Sequence, residues 1–80
     1  PTGLTLQELR NRLDVSRQTL NNYRREAQLP RNGHGRRDYR MPWSDIARLC
    51  RWILEERASS DSAPLALRLL EVALSSHQGM

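Results

Sequence analysis

Thr5-Leu6-Gln7-Glu8-Leu9-Arg10-Asn11-Arg12-Leu13-Asp14-Val15-Ser16-Arg17-Gln18-Thr19-Leu20-Asn21-Asn22-Tyr23-Arg24-Arg25 reads as two short helices and the turn that joins them. Thr5 and Glu8 have the spacing of a capping box, in which a hydroxyl and a carboxylate satisfy orphaned amides at a helix start. Leu6, Leu9 and Leu13 recur on one helical face, so a first helix is predicted from Leu6 to Leu13. Asp14 is a residue type that tolerates the left-handed conformation a sharp turn requires, and Ser16 is a strong N-cap for the next helix. That second helix is predicted over Arg17–Arg25, with Leu20 and Tyr23 turned inward.

Beyond the second helix, Ala27-Gln28-Leu29-Pro30 ends the helical pattern, because the residue before a proline is pushed toward extended geometry. Arg31-Asn32-Gly33-His34-Gly35-Arg36-Arg37-Asp38-Tyr39-Arg40 has turn formers at its centre and extended-compatible flanks, as in a hairpin. Pro42 and Ser44-Asp45 suit a helix start, and Trp43, Ile46, Leu49, Cys50, Ile53 and Leu54 recur at helical spacing up to about Arg57. Residues 58–64 are small and polar and read as a connector, with Pro64 suited to the first turn of a last helix over residues 65–76. That helix carries Arg68 and Glu71 as its charges and is apolar on more than one face. A helix buried on one side shows a polar stripe opposite, so a second face is expected to meet another chain, through Leu67, Leu70 and Leu74. The order of elements predicts a mostly α fold, a winged helix-turn-helix with a short β-hairpin wing and a C-terminal apolar helix. Residues 1–57 form its main domain.

The chain has 80 residues, a single small domain with a thin core, and a formal net charge of +4. The charge is unevenly placed. Residues 10–51 hold eleven arginines against Asp14, Glu26, Asp38 and Asp45, whereas residues 52–80 are slightly acidic. A basic segment this dense attracts a polyanion. All thirteen basic residues are Arg, the side chain that grips phosphate and guanine bidentately, although a GC-rich genome also encodes Arg cheaply. Cys50 is the only cysteine, which excludes an intramolecular disulfide and a cysteine-based zinc site and is compatible with a reducing compartment. No run approaches the roughly 20 apolar residues of a membrane span, and no signal-peptide pattern opens the chain. The expected setting is cytoplasmic and nucleoid-associated, with no membrane partner.

On the outward face of the second helix, Arg17, Gln18, Asn21, Asn22 and Arg25 are the side-chain types that pair bidentately with guanine and adenine edges. Ser16, at the helix start, is placed to meet a phosphate while it caps. Arg31, Arg36, Arg37 and Arg40 are the phosphate candidates of the loop. Trp43, Trp52 and Cys50 lie along an apolar helical stripe and are expected in the core or an interface. No P-loop, zinc spacing or triad-like arrangement occurs, so an enzyme is not expected, nor a metal, cofactor or small-molecule ligand.

Ser16-Arg17-Gln18-Thr19-Leu20-Asn21-Asn22-Tyr23, the Leu29-Pro30 break, the Gly-bearing loop with Arg37-Asp38-Tyr39, and the following Asp45-Ile46 and Leu49 together resemble the MerR-type winged helix-turn-helix. The resemblance covers roughly residues 4 to 57. Phage excisionases, terminase small subunits and some plasmid partition or replication regulators look similar in the same stretch. It implies that the second helix enters the major groove and the wing lies along the phosphate backbone. Arg17, Gln18, Asn21, Asn22 and Arg25 would then lie near bases, and Ser16, Tyr23, Arg24, Arg36, Arg37, Tyr39 and Arg40 near phosphates. Arg10 stands where the family usually has a small residue, and Asp14 where it usually has Gly. Arg10 must tilt outward or loosen the contact between the two helices. The family's long dimerising helix and ligand domain have no counterpart within these 80 residues. The function this implies is a sequence-specific double-stranded DNA-binding protein of bacterial or phage type, a small homodimeric repressor-like regulator of transcription. Alternatives are a DNA-organising factor in excision, packaging or partition, or a protein-interaction module working through the last helix.

Overall fold

The computed structural model describes residues 3–29 and 39–78. Within them lies a small, mostly helical fold in the order β1 (Gly3–Thr5), α1 (Leu6–Leu13), α2 (Arg17–Glu26), β2 (Arg40–Pro42), α3 (Trp43–Glu56) and α4 (Ser62–Gln78). β1 and β2 pair antiparallel, with Gly3 opposite Pro42, Leu4 opposite Met41 and Thr5 opposite Arg40. The hairpin expected over residues 31–40 lies outside the described residues except for Tyr39 and Arg40, and the strand containing Arg40 pairs with the N-terminal segment. At Gly3 the two backbones approach so closely that any side chain would collide with the Met41 carbonyl. A glycine is therefore required there.

The first helix begins as its residues dictate. Thr5 Oγ1 accepts from the Glu8 amide at 3.1 Å and Glu8 Oε1 accepts from the Thr5 amide at 2.8 Å, which closes the capping box. Asp14 ends α1 in the left-handed region, φ 54° and ψ 49°, and its amide donates to the Arg10 carbonyl. Ser16 Oγ accepts from the Thr19 amide at 3.1 Å and starts α2. The other end of α2 departs from expectation, because helix termination precedes Pro30. Gln28 adopts φ 60°, its amide donates to the Arg25 carbonyl, and the Leu29 amide donates to the Arg24 carbonyl. This pair of bonds is a Schellman closure, normally built around glycine, and here the burial of Leu29 accompanies it.

Leu9, Leu13, Leu20, Met41, Ile46, Leu49, Cys50 and Ile53 form the heart of the core, to which α4 adds Ala66, Leu69 and Ala73. α3 and α4 make the most extensive contact between elements. Small side chains at Ser62, Ala63, Ala66 and Ala73 are buried and let the two helices approach closely. That packing explains why α4 starts at Ser62, ahead of the expected 65, and keeps Pro64 within its first turn. The connector before it is closed by hydrogen bonds, with Ser60 Oγ donating to the Arg57 carbonyl at 2.7 Å. Cys50 is fully buried, and burial pushes its thiol up to about 12, so it serves as a small core hydrophobe. Trp43 and Trp52 pack half-buried against the core, as their spacing predicts.

Candidate nucleic-acid interface

α2 is fixed at both ends and presents a polar face between them. Successive residues turn by about 100°, so Arg17, Gln18, Asn21, Asn22 and Arg25 share an arc of about 140°. Arg17, Gln18, Asn22 and Arg25 are exposed, and Asn21 is half-buried within the same arc, between Arg17 and Arg25. At the start of the helix the Ser16 hydroxyl accepts from the Thr19 amide and donates to Thr19 Oγ1 at 2.9 Å. Its capacity is thus spent on the cap, while the first-turn amides of the helix point outward with their partial positive charge.

The inward side of α2 holds Leu20, 2% exposed, and, less obviously, Arg24 at 5%. Arg24 is buried and does not share the exposed arc with Arg17 and Arg25. Its charge is felt by Tyr39 just before β2. The Tyr39 phenol is pushed above its ordinary range, first by burial and then by Asp45 of α3, with Arg24 opposing. Tyr39 packs partly buried against the core and stays a neutral hydroxyl. Arg24, Tyr39 and Asp45 thus gather α2, the approach to β2 and α3 at one place.

Tyr23 is a core-edge residue. Its ring lies 5.2 Å from that of Trp52, tilted by 54°, and the Arg57 guanidinium sits 5.2 Å from the Trp52 ring and 6.0 Å from Tyr23. Arg57 Nη2 also donates to Glu26 Oε1 at 3.1 Å. This cluster staples the last turn of α2 to the end of α3. The sequence pattern assigns no role to Arg57 or Glu26, since a pairing between residues 31 apart carries no local signal.

Arg40 is exposed and donates Nη1 to the Gly3 carbonyl and to Glu8 Oε1, both at 3.4 Å. It ties β2 to the α1 cap, so a phosphate at this position would compete with Glu8. The Glu8 carboxyl is held below its ordinary range, chiefly by hydrogen bonds from Thr5 and further by Arg40 and Arg12. Arg36 and Arg37 lie outside the described residues. Arg10 is half-buried, and its Nε is buried with no hydrogen-bond partner among the described residues. α1 makes its wider contacts with α4 and β1 and fewer with α2.

Among the described residues no cluster of His, Cys, Asp and Glu is placed to hold a metal ion, and no helix is long and apolar enough to cross a membrane. No family model matches this chain, and no curated protein or solved structure matches it either.

Proposed function

We propose that this protein binds double-stranded DNA in a sequence-specific way, with α2 in the major groove and the arginines of residues 31–40 along the backbone, as a small transcriptional regulator. The observation that carries the reading is the arc of Arg17, Gln18, Asn22 and Arg25, exposed together on a helix whose inward side is locked by Leu20, Tyr23 and Arg24. A helix held rigidly from behind, with Arg, Gln and Asn in front and no apolar residue among them, suits base-edge readout. The charges of Arg24 and Asp45 are both felt at Tyr39, just before β2, which puts the approach to the arginine-rich loop in the neighbourhood of the reading helix. Phosphate contact then belongs to Arg36 and Arg37, with Arg40 sharing its charge with Glu8. The resemblance to the MerR-type winged helix-turn-helix belongs to this reading, and so does the nucleoid setting.

The test is to mix the protein with sheared genomic DNA at physiological salt and sequence the retained fragments. Enrichment of one motif is expected. A palindromic motif fits a regulator, a tandem same-direction array fits a DNA-organising factor, and uniform retention sinks the sequence-specific reading. In the same assay Asn21→Ala should shift base preference, by about 1–3 kcal/mol at one position. Arg36→Ala should weaken all duplexes alike and flatten the salt slope by about one unit.

A further inference from the structure

α4 turns Pro64, Leu67, Arg68, Glu71, Val72 and Ser75 to solvent, and their spacing makes them one continuous stripe. Leu67 and Val72, 50% and 40% exposed, are the large hydrophobics left uncovered among the described residues. A groove of about 210 Å³ runs beside the stripe over Leu65, Leu69 and Val72, between Arg12 and Arg68. Arg68 and Glu71 have no hydrogen bond or ion pair through their side chains among the described residues. The α4 stripe is thus apolar at its flanks and carries one unmet charge of each sign near its middle, with Arg12 of α1 on the far wall of the groove beside it.

That charge pattern is its own complement. Two copies of α4 laid antiparallel about a two-fold axis, level with the peptide between Leu69 and Leu70, bring Arg68 level with Glu71 of the second copy, and this happens twice. The same register sets the aliphatic stem of Arg68 over Val72 of the other copy and that of Glu71 over Leu67. A parallel arrangement would instead place Arg68 against Arg68 and Glu71 against Glu71, so charge selects the antiparallel one. We propose that the outer stripe of α4 is a docking surface for a second copy of this chain, held antiparallel by reciprocal Arg68–Glu71 ion pairs beside Leu67 and Val72. The interface differs from the Leu67, Leu70 and Leu74 face expected from sequence, because Leu70 and Leu74 are half-buried, with Leu70 packed on the chain's own core.

One helix stripe covers less than the roughly 1,200 Å² of a standard stable interface, so the pair is weak in free solution. Its consequence for function rests on the DNA-binding reading: two copies on neighbouring half-sites raise each other's local concentration and bind cooperatively. The surface itself is tested without DNA. In sedimentation equilibrium at low ionic strength, the average mass should rise from monomer toward dimer between micromolar and millimolar protein. Arg68→Glu and Glu71→Arg each set like charges face to face and should weaken association at least about tenfold. An equimolar mixture of these two variants pairs opposite charges at both contacts and should regain the wild-type association. Both positions are exposed, and circular dichroism of each variant checks that it folds. Wild-type protein that stays monomeric throughout, single variants that associate like wild type, or a mixture no better than its components each overturn the proposal. Loss of DNA binding with the charge-swap pattern intact would instead remove the DNA reading and leave this surface standing.

Discussion

Helices α2 and α4 each turn one face to solvent, and they are held in place by opposite means. α4 is held along its length: Ser62, Ala63, Ala66, Leu69 and Ala73 line a face that lies close against α3. α2 is shorter and buries Leu20 and Arg24, with Tyr23 half covered. It makes up for that narrow face at its ends, with the Ser16 cap at one and the Gln28–Leu29 closure and the Arg57 staple at the other. Such a helix can present a wholly polar front without losing its place, whereas a helix fixed by broad packing leaves apolar residues at its margins. The contrast explains why the candidate reading surface lies on α2 and the candidate docking surface on α4.

The largest expected effect comes from emptying the narrow anchor. Leu20→Ala removes a side chain 2% exposed and should cost about 2–4 kcal/mol in urea unfolding, a large part of what an 80-residue domain has to spare. Val72→Ala, on the outer face of α4, should cost less than about 0.5 kcal/mol in the monomer. Equal losses at the two positions would show that α2 is not the helix hanging on few contacts.

Next in size is the staple. Arg57→Leu removes two ring contacts and the ion pair to Glu26, whose side chains are 41% and 50% exposed. Because the ion pair is half in water, its share is discounted, and about 1 kcal/mol is expected for the whole. Glu26→Gln should therefore cost clearly less than Arg57→Leu. Amide exchange should quicken in the last turn of α2 and stay unchanged in α4. If the two variants lose the same amount, the ion pair and not the stacked guanidinium does the holding.

How much of the fold is legible in the sequence depends on the range of each interaction. The Thr5–Glu8 box, the left-handed Asp14 and the Ser16 cap are written in residues three or four apart, and the structure has them where the residues say. β1 has no such signal, since three residues including a glycine have no strand character of their own and exist as a strand by pairing with Met41 and its neighbours. Arg24 defeats a reading by residue type, which puts an arginine outside, because the tertiary fold covers it and brings Tyr39 within reach of its charge. The start of α4 lies earlier than its pattern suggests because Ser62 and Ala63 are buried against the fold, whereas in the sequence they end a small, polar run just before Pro64. On the candidate site, Arg17, Gln18, Asn22 and Arg25 are readable from helical period alone, and their support from Arg57 is not.

The smallest effect tests how α2 ends. Gln28 sits at φ 60°, where a side chain crowds the following carbonyl at a cost of about 1–2 kcal/mol, and glycine carries no such penalty. Glycine also loses more freedom on folding, by about 0.5–1 kcal/mol, so the two terms partly cancel. Gln28→Gly should accordingly stabilise the protein by about 0.5 kcal/mol, seen as a higher denaturant midpoint at unchanged slope. Asp14→Gly, at φ 54°, should gain less, because aspartate already tolerates the left-handed region better than glutamine does. Neither change touches the exposed arc of α2. Destabilisation by Gln28→Gly would mean that the glutamine side chain, and not the buried Leu29 and the two closing amides, holds the helix end in place.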